Sequence, residues 1–213
     1  MTSVLDDRFL LTDLLDMSVI KEVGEAYCRA FELGIIILNE AGEEVINLCP
    51  PYEFCKAIQA GALAPKCGDA KKRLARHPIE ESQVLQLKSG CGMRYVLLLL
   101  SYQLETLGRV IVGPFRDPET PAGQLARTLG PEIKEDQIRQ VPAMTPERLK
   151  SGISLLAKML NGFLFINAKR LITTRLHLET IYGEKERIFR QVEYQDYGSA
   201  EDRAEIEKFK NMF

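Results

Sequence analysis

The sequence predicts an α+β domain: a five-stranded antiparallel sheet with flanking helices, followed by one long C-terminal helix. Three observations predict it. Two β-branched runs, GIIILNE and EEVINL, stand close together near the start. Three more, QVLQLK, MRYVLLLLSY and LGRVIVGPF, follow a helical insertion. After VPAMTPERLK a helical pattern runs on with no strong breaker.

Taken in order, Thr12 or Asp13 can cap a first helix. Its apolar residues Leu14, Leu15, Met17, Ile20, Val23, Ala26, Tyr27 and Phe31 recur at helical spacing until Gly34 stops it. The first two strands meet through Asn39, Glu40, Ala41 and Gly42, a hairpin turn, and Pro50 and Pro51 end the second because neither can donate to a ladder. Tyr52 to Gln59 reads as a helix broken by Gly61 and Pro65. A basic helix then runs from about Cys67 or Asp69 to His77. After the last three strands, short helices are expected around Gly123 to Leu129 and Glu132 to Arg139. The long helix starts at Thr145 as cap with Pro146 in its first turn, and Gly152, Gly162 and Gly183 are its weak points. A last short charged helix follows a break at Gly198 and Ser199.

With 213 residues the chain can hold one domain, expected over 1–165, and a helical extension over 166–213. The 28 basic and 30 acidic residues balance to a net charge of -2, which removes the electrostatic case for nucleic-acid binding. The start, MTSVLDDRFLLTDLLD, has early acidic residues and no basic stretch before an apolar core, so it does not read as a secretory leader. The longest unbroken apolar run, Val96 to Leu100, falls far short of a membrane span. A cytoplasmic location without membrane association is the expectation, with the cysteines kept as thiols.

The long helix carries a heptad pattern. One seam position falls on Ala157, Leu164, Leu171, Leu178, Lys185 and Val192, the other on Leu160, Asn167, Thr174, Ile181 and Ile188. This predicts a homodimer through a coiled coil weakened by Asn167, Thr174 and Lys185. The alternative is that the first half packs on the sheet and the second half is an exposed helix.

The order of elements is that of a PAS-like sensor, and the residues carry the likeness further. LLD near the start, the pair Phe54–Cys55, Cys67 before a polar helix, Cys91 opening the fourth strand, LGRVIVGPF and VPAMTPERLKSGISLLAKML together resemble the PocR sensory domain family. The resemblance covers about Leu14 to Leu164. It implies a PAS-like fold that binds a small hydrocarbon-like or amphipathic molecule and signals to a protein partner. Where that family commonly has Cys-His, this chain has Cys91–Gly92, and no DNA-binding or kinase output segment is visible.

The candidate ligand-binding residues are Tyr52, Phe54, Cys55, Cys67, Cys91, Arg94 and Tyr95, around a cavity between the sheet and the Tyr52 to His77 helices. Ile35, Ile37, Val110 and Val112 are expected as its apolar wall. Arg94 and Tyr95 are adjacent on a strand, so one points inward: Tyr95 would offer a hydroxyl, Arg94 a grip on a carboxylate. Cys55, Cys67 and Cys91 lack the C-x-x-C spacing of structural zinc. With Cys49, His77 or solvent as a fourth ligand they would still suit zinc or an iron–sulfur cluster. Otherwise they are neutral packing thiols, or they carry redox chemistry. No cofactor is assigned. An enzyme is not expected: His77 and His177 lack a paired nucleophile, Glu43–Glu44 and Glu80–Glu81 point apart, and no phosphate-binding glycine loop is present. Two other roles remain open, an interaction scaffold whose cavity is filled by its own side chains and a cysteine-based metal or redox sensor.

Overall fold

The structure is a computed structural model that describes residues 9–76, 84–194 and 207–208. The extreme N-terminus, His77, Glu80–Glu81 and the break at Gly198–Ser199 lie outside them. The chain divides into two compact units, one over Arg8–Ala168 and one that holds the helix from Lys169 onward.

The first unit contains a five-stranded antiparallel sheet in the order β2-β1-β5-β4-β3, the PAS-like arrangement. Its strands are β1 (Ile35–Asn39), β2 (Glu44–Asn47), β3 (Leu85–Lys88), β4 (Arg94–Tyr102) and β5 (Glu105–Phe115). The hairpin between β1 and β2 forms as expected: Gly42 takes φ +82, and the Asn39 amide oxygen accepts the Glu43 N–H at 2.8 Å. The turn between β4 and β5 is tighter than expected. Tyr102 pairs with Glu105, leaving Gln103 and Leu104 alone at the tip with φ of 49 and 69. Positive φ at both central residues suits the twist of a two-residue hairpin, although neither is glycine.

The helices are α1 (Leu11–Leu14), α2 (Met17–Phe31), α3 (Glu53–Ala60), α4 (Ala64–Arg76), α5 (Ala122–Leu129), α6 (Glu135–Arg139) and α7 (Pro146–Tyr194). The single first helix of the sequence reading is two. Asp16, not Thr12 or Asp13, caps the longer one, its carboxylate accepting from the N–H groups of Ser18 at 3.0 Å and Val19 at 3.3 Å. Pro65, read as a breaker, lies in the first turn of α4, where a missing N–H costs nothing. The start of α7 is as expected, with Thr145 Oγ1 accepting from the Arg148 N–H at 3.3 Å.

Alternation along the strands gives the sheet two buried faces. On one, Ile36, Leu38, Tyr95, Leu97 and Ile111 pack with Phe54, Ile58, Cys67, Leu74, Ile133, Ile138 and Val141 from the α3–α6 side. On the other lie Ile35, Ile37, Val96, Leu98, Val110 and Val112, all buried. The start of α7 faces this side, its Leu149, Ile153 and Ala157 lining a pocket with Val96 and Leu98, and Leu156, Leu160 and Leu164 further along it are buried. Gly152 lets α2 come close: a Cβ there would sit 2.9 Å from Phe31 and 3.1 Å from the Tyr27 hydroxyl. By length and composition alone α7 is long and apolar enough to cross a membrane. Its most buried residues are spent on the sheet domain.

Two members of the expected heptad seam, Leu160 and Leu164, are thus buried within the first unit. Asn167, read as a fault in the seam, donates its amide to the Leu14 carbonyl at 2.7 Å. In the second unit Leu176, Leu178, Ile181, Tyr182 and Ile188 are exposed. Leu178, Ile181, Tyr182, Ile188 and Phe189 line an apolar groove of about 560 Å³.

Candidate functional site

The structure distributes the seven sequence-nominated residues over both faces of the sheet. Tyr52, Phe54, Cys55, Cys67, Cys91 and Tyr95 belong to the cluster on the α3–α6 side, and Arg94 faces the other way. The alternation of β4 causes the split: Met93, Tyr95 and Leu97 go to one face, Arg94, Val96 and Leu98 to the other.

On the α3–α6 face the side chains interlock. Phe54 and Met93 have no exposed surface, and Tyr95 keeps 2%. Tyr52 spends its hydroxyl on the Glu32 carbonyl at 3.1 Å, tying the start of α3 to the end of α2. Burial pushes the Tyr95 hydroxyl far above its ordinary range, and Cys67, Cys91, Cys55 and Cys49, all close enough to act on it, push it further. Cys67 and Cys91 share the buried cluster with Tyr95, and Cys49 and Cys55 pack against it. Among the described residues, however, no three His, Cys, Asp or Glu side chains form a metal-holding group.

Cys67 and Cys91 are the two buried thiols of this cluster. Cys91 occupies a tight turn between β3 and β4, in which the Ser89 N–H donates to the Met93 carbonyl at 2.7 Å and Gly92 adopts φ +82. Its thiol is held well below the ordinary range by a hydrogen bond from Cys67 first. Bonds from Ser89 and from the N–H groups of Met93 and Cys91 itself add to the effect, against a burial that opposes it. Cys28, by contrast, is pushed up to about 11 by burial and hydrogen-bonds the Leu48 carbonyl at 3.6 Å.

The opposite face holds a pocket of about 530 Å³ between β3, β4, the end of β5 and α7. Val84, Val96, Leu98, Phe115, Met144, Leu149, Ile153 and Ala157 make its walls apolar. Arg94 donates from Nη2 to Asp117 Oδ2 at one side, and Asp117 Oδ1 also accepts the Glu119 N–H at 3.1 Å. The volume and the few polar groups set in apolar walls are those of a small-molecule site. The backbone holds this geometry. Arg116 accepts from the Met144 N–H at 3.1 Å, donates from its own N–H to Pro142 at 2.9 Å, and donates from Nε to the Val141 carbonyl at 3.0 Å. The segment leading into α7 is thereby fastened to the end of β5, which sets Met144 and Pro146 at the pocket wall.

Sequence reasoning did not reach Asp117, Met144, Leu149, Ile153 or Ala157. Counting back from the β4–β5 turn would set Arg94 opposite Gly113; two register shifts, between Leu100 and Ser101 and between Arg94 and Val96, carry it to Phe115, two residues before Asp117.

A family model described as the sensory domain found in PocR matches residues 13–167. Neither the curated proteins nor the solved structures gave a match. Since that match spans most of the chain, the chain belongs to the PocR sensory-domain family, and its role is sensory.

Proposed function

With membership of that sensory family as premise, we propose that the chain binds a small amphipathic molecule in the pocket between the sheet and α7. The observation that carries this is the ion pair in an apolar cleft, Arg94 on Asp117 beside Val96, Leu98, Phe115 and Ile153. An apolar tail would fill the cleft, and a carboxylate head would take the Arg94 guanidinium, which presents a fork of donors matched to two oxygens.

The relay follows from who forms the wall. Pro146, Leu149, Ile153 and Ala157 are α7 residues, so an occupant bears directly on that helix. A ligand shifts a two-state element only by its difference in affinity for the two states, and displacement of Asp117 from Arg94 would supply such a difference. The receiver of the signal is proposed to be a second copy of the chain. Leu178, Ile181 and Ile188 present the later seam positions to it, and a cytoplasmic signalling protein would read the dimer.

Octanoate, octanol and octylamine serve as probes in a thermal-shift and native mass spectrometry series. Saturable binding of octanoate with a raised Tm is the expected result. Absence of binding by all three would overturn the proposal in favour of an interaction scaffold. That reading is favoured by the solid packing of Phe54, Met93 and Leu97 on the other face.

A further inference from the structure

The ligand pocket makes no use of the two hydrogen-bonded thiols on the opposite face of the sheet. We propose that Cys67 and Cys91 form an oxidisable dithiol site, which a peroxide converts to a disulfide joining α4 to the β3–β4 turn.

Three observations carry this. The thiols come from separate elements, Cys67 from α4 and Cys91 from the turn, yet both are buried in one cluster with Tyr95 and Met93, where Cys67 acts on the Cys91 thiol as a hydrogen-bond partner. Both are buried, Cys91 at 1% exposure and Cys67 at 7%, which favours an oxidant as small as a peroxide over bulky thiols. The surroundings of Cys91 also serve both protonation states. As a thiol it donates to Ser89 Oγ at 3.0 Å, which passes its own proton to the Met93 carbonyl at 2.9 Å. As a thiolate it receives from Ser89, from Cys67 and from the turn's own N–H groups, a microenvironment of the kind that activates cysteine.

The chemistry balances without a metal. The Cys91 thiolate attacks one peroxide oxygen, the O–O bond breaks, hydroxide leaves, and Cys91 becomes a sulfenic acid. The Cys67 sulfur then attacks the Cys91 sulfur, the S–O bond breaks, and the departing hydroxide takes the Cys67 proton to leave as water. In total two thiols each lose one electron, one hydrogen peroxide gains two, and a disulfide and two waters form. Closing the sulfurs to about 2.05 Å asks the turn to move toward α4. Gly90 and Gly92 flank Cys91 and give that turn its backbone freedom.

The test uses the full chain with no ligand added. It is treated with hydrogen peroxide, unfolded in the presence of an alkylating agent, and mapped as peptides without reduction. The expected result is a fall from five titratable thiols to three, with one linked pair of peptides carrying Cys67 and Cys91. Cys67→Ser and Cys91→Ser each abolish that link, and Cys28→Ser leaves it. Five surviving thiols, a link through Cys49 or Cys55, or a Cys91 sulfinic acid with no link would each overturn the proposal. Because the peptide map is made on the wild-type chain, the outcome does not depend on whether a variant folds.

Discussion

The two halves of the Arg94–Asp117 pair respond differently to the same ligand, and this separates a ligand switch from a structural bridge. The side chains keep 34% and 23% of their surface. Exposed pairs contribute about 0.2–1 kcal/mol and breaking a fully buried one costs about 3–5, so losing this pair should cost about 1–2 kcal/mol. Asp117→Asn keeps the bond from the Glu119 N–H and removes the charge, and Arg94→Gln removes the cation. For a chain of this size either change lowers Tm by roughly 2–8 °C in the free protein. Octanoate binding then moves in opposite directions. In Asp117→Asn the guanidinium no longer has to leave a carboxylate, so affinity rises by about 5–30-fold, the same 1–2 kcal/mol returned. In Arg94→Gln the ligand loses a charged hydrogen bond of about 1.5–3 kcal/mol, and affinity falls by roughly 10- to 150-fold. Isothermal calorimetry on the wild type and both variants reads this directly, with octanol as the uncharged control. If both variants weaken octanoate alike, or octanol binds as well as octanoate, the pair only builds the wall and the argument for an anionic ligand fails.

Three other outcomes are expected. The folded state lowers the pKa of Cys91 below the ordinary thiol value of 9.0, so its contribution to stability is complete above 9.0 and is lost as pH falls through the lowered value. Urea titrations between neutral pH and 9 should therefore show the gap between wild type and Cys91→Ser widening with pH, and a constant gap would show that Cys91 is an ordinary thiol. Gly108→Ala would place a Cβ 2.4 Å from the Leu38 carbonyl and 2.9 Å from Leu11, forcing β1 and β5 apart; a loss of about 1–3 kcal/mol in urea is expected, and an unchanged midpoint would contradict the close approach. Ile181→Asp should convert a dimer to a monomer in analytical ultracentrifugation while octanoate binding stays intact. A dimer that survives it places the interface elsewhere.

What could be read from the sequence depended on how local the determinant was. The strands, the Asn39–Gly42 turn and the Thr145 cap are each specified within a few residues, and each is where the residues imply. Pro65 misled because proline ends a helix from within but begins one from its first turn, and only the structure shows which side of it the helix lies. The first part of the seam on α7 was ambiguous for a different reason. Leu160 and Leu164 satisfy a heptad as well as they satisfy a sheet, and the sequence does not say which apolar surface arrives first. The Asn167 bond to Leu14, across most of the chain, shows which one did.

The site divides along the same line. The cysteine cluster was visible because its members are rare residues at the edges of predicted elements, and rarity survives in a linear reading. The pocket was not, because Val96, Leu98, Met144, Leu149 and Ile153 are ordinary apolar residues until β5 and α7 are folded against β4. Arg94 was the exception, a cation in an apolar strand, and it is the residue that the sequence singled out and the structure supplied with a partner, Asp117. Adjacent on β4, Arg94 and Tyr95 open onto opposite faces, so one strand carries the ion pair to the pocket and the tyrosine to the thiols. A shift of β4 along its axis would be felt on both sides. If oxidation of the dithiol pulls the turn toward α4, the residue that moves, Cys91, stands three positions before Arg94, the first residue of β4. Octanoate affinity measured on the oxidised and reduced chains would therefore differ where the faces are coupled, and coincide where β4 holds them apart.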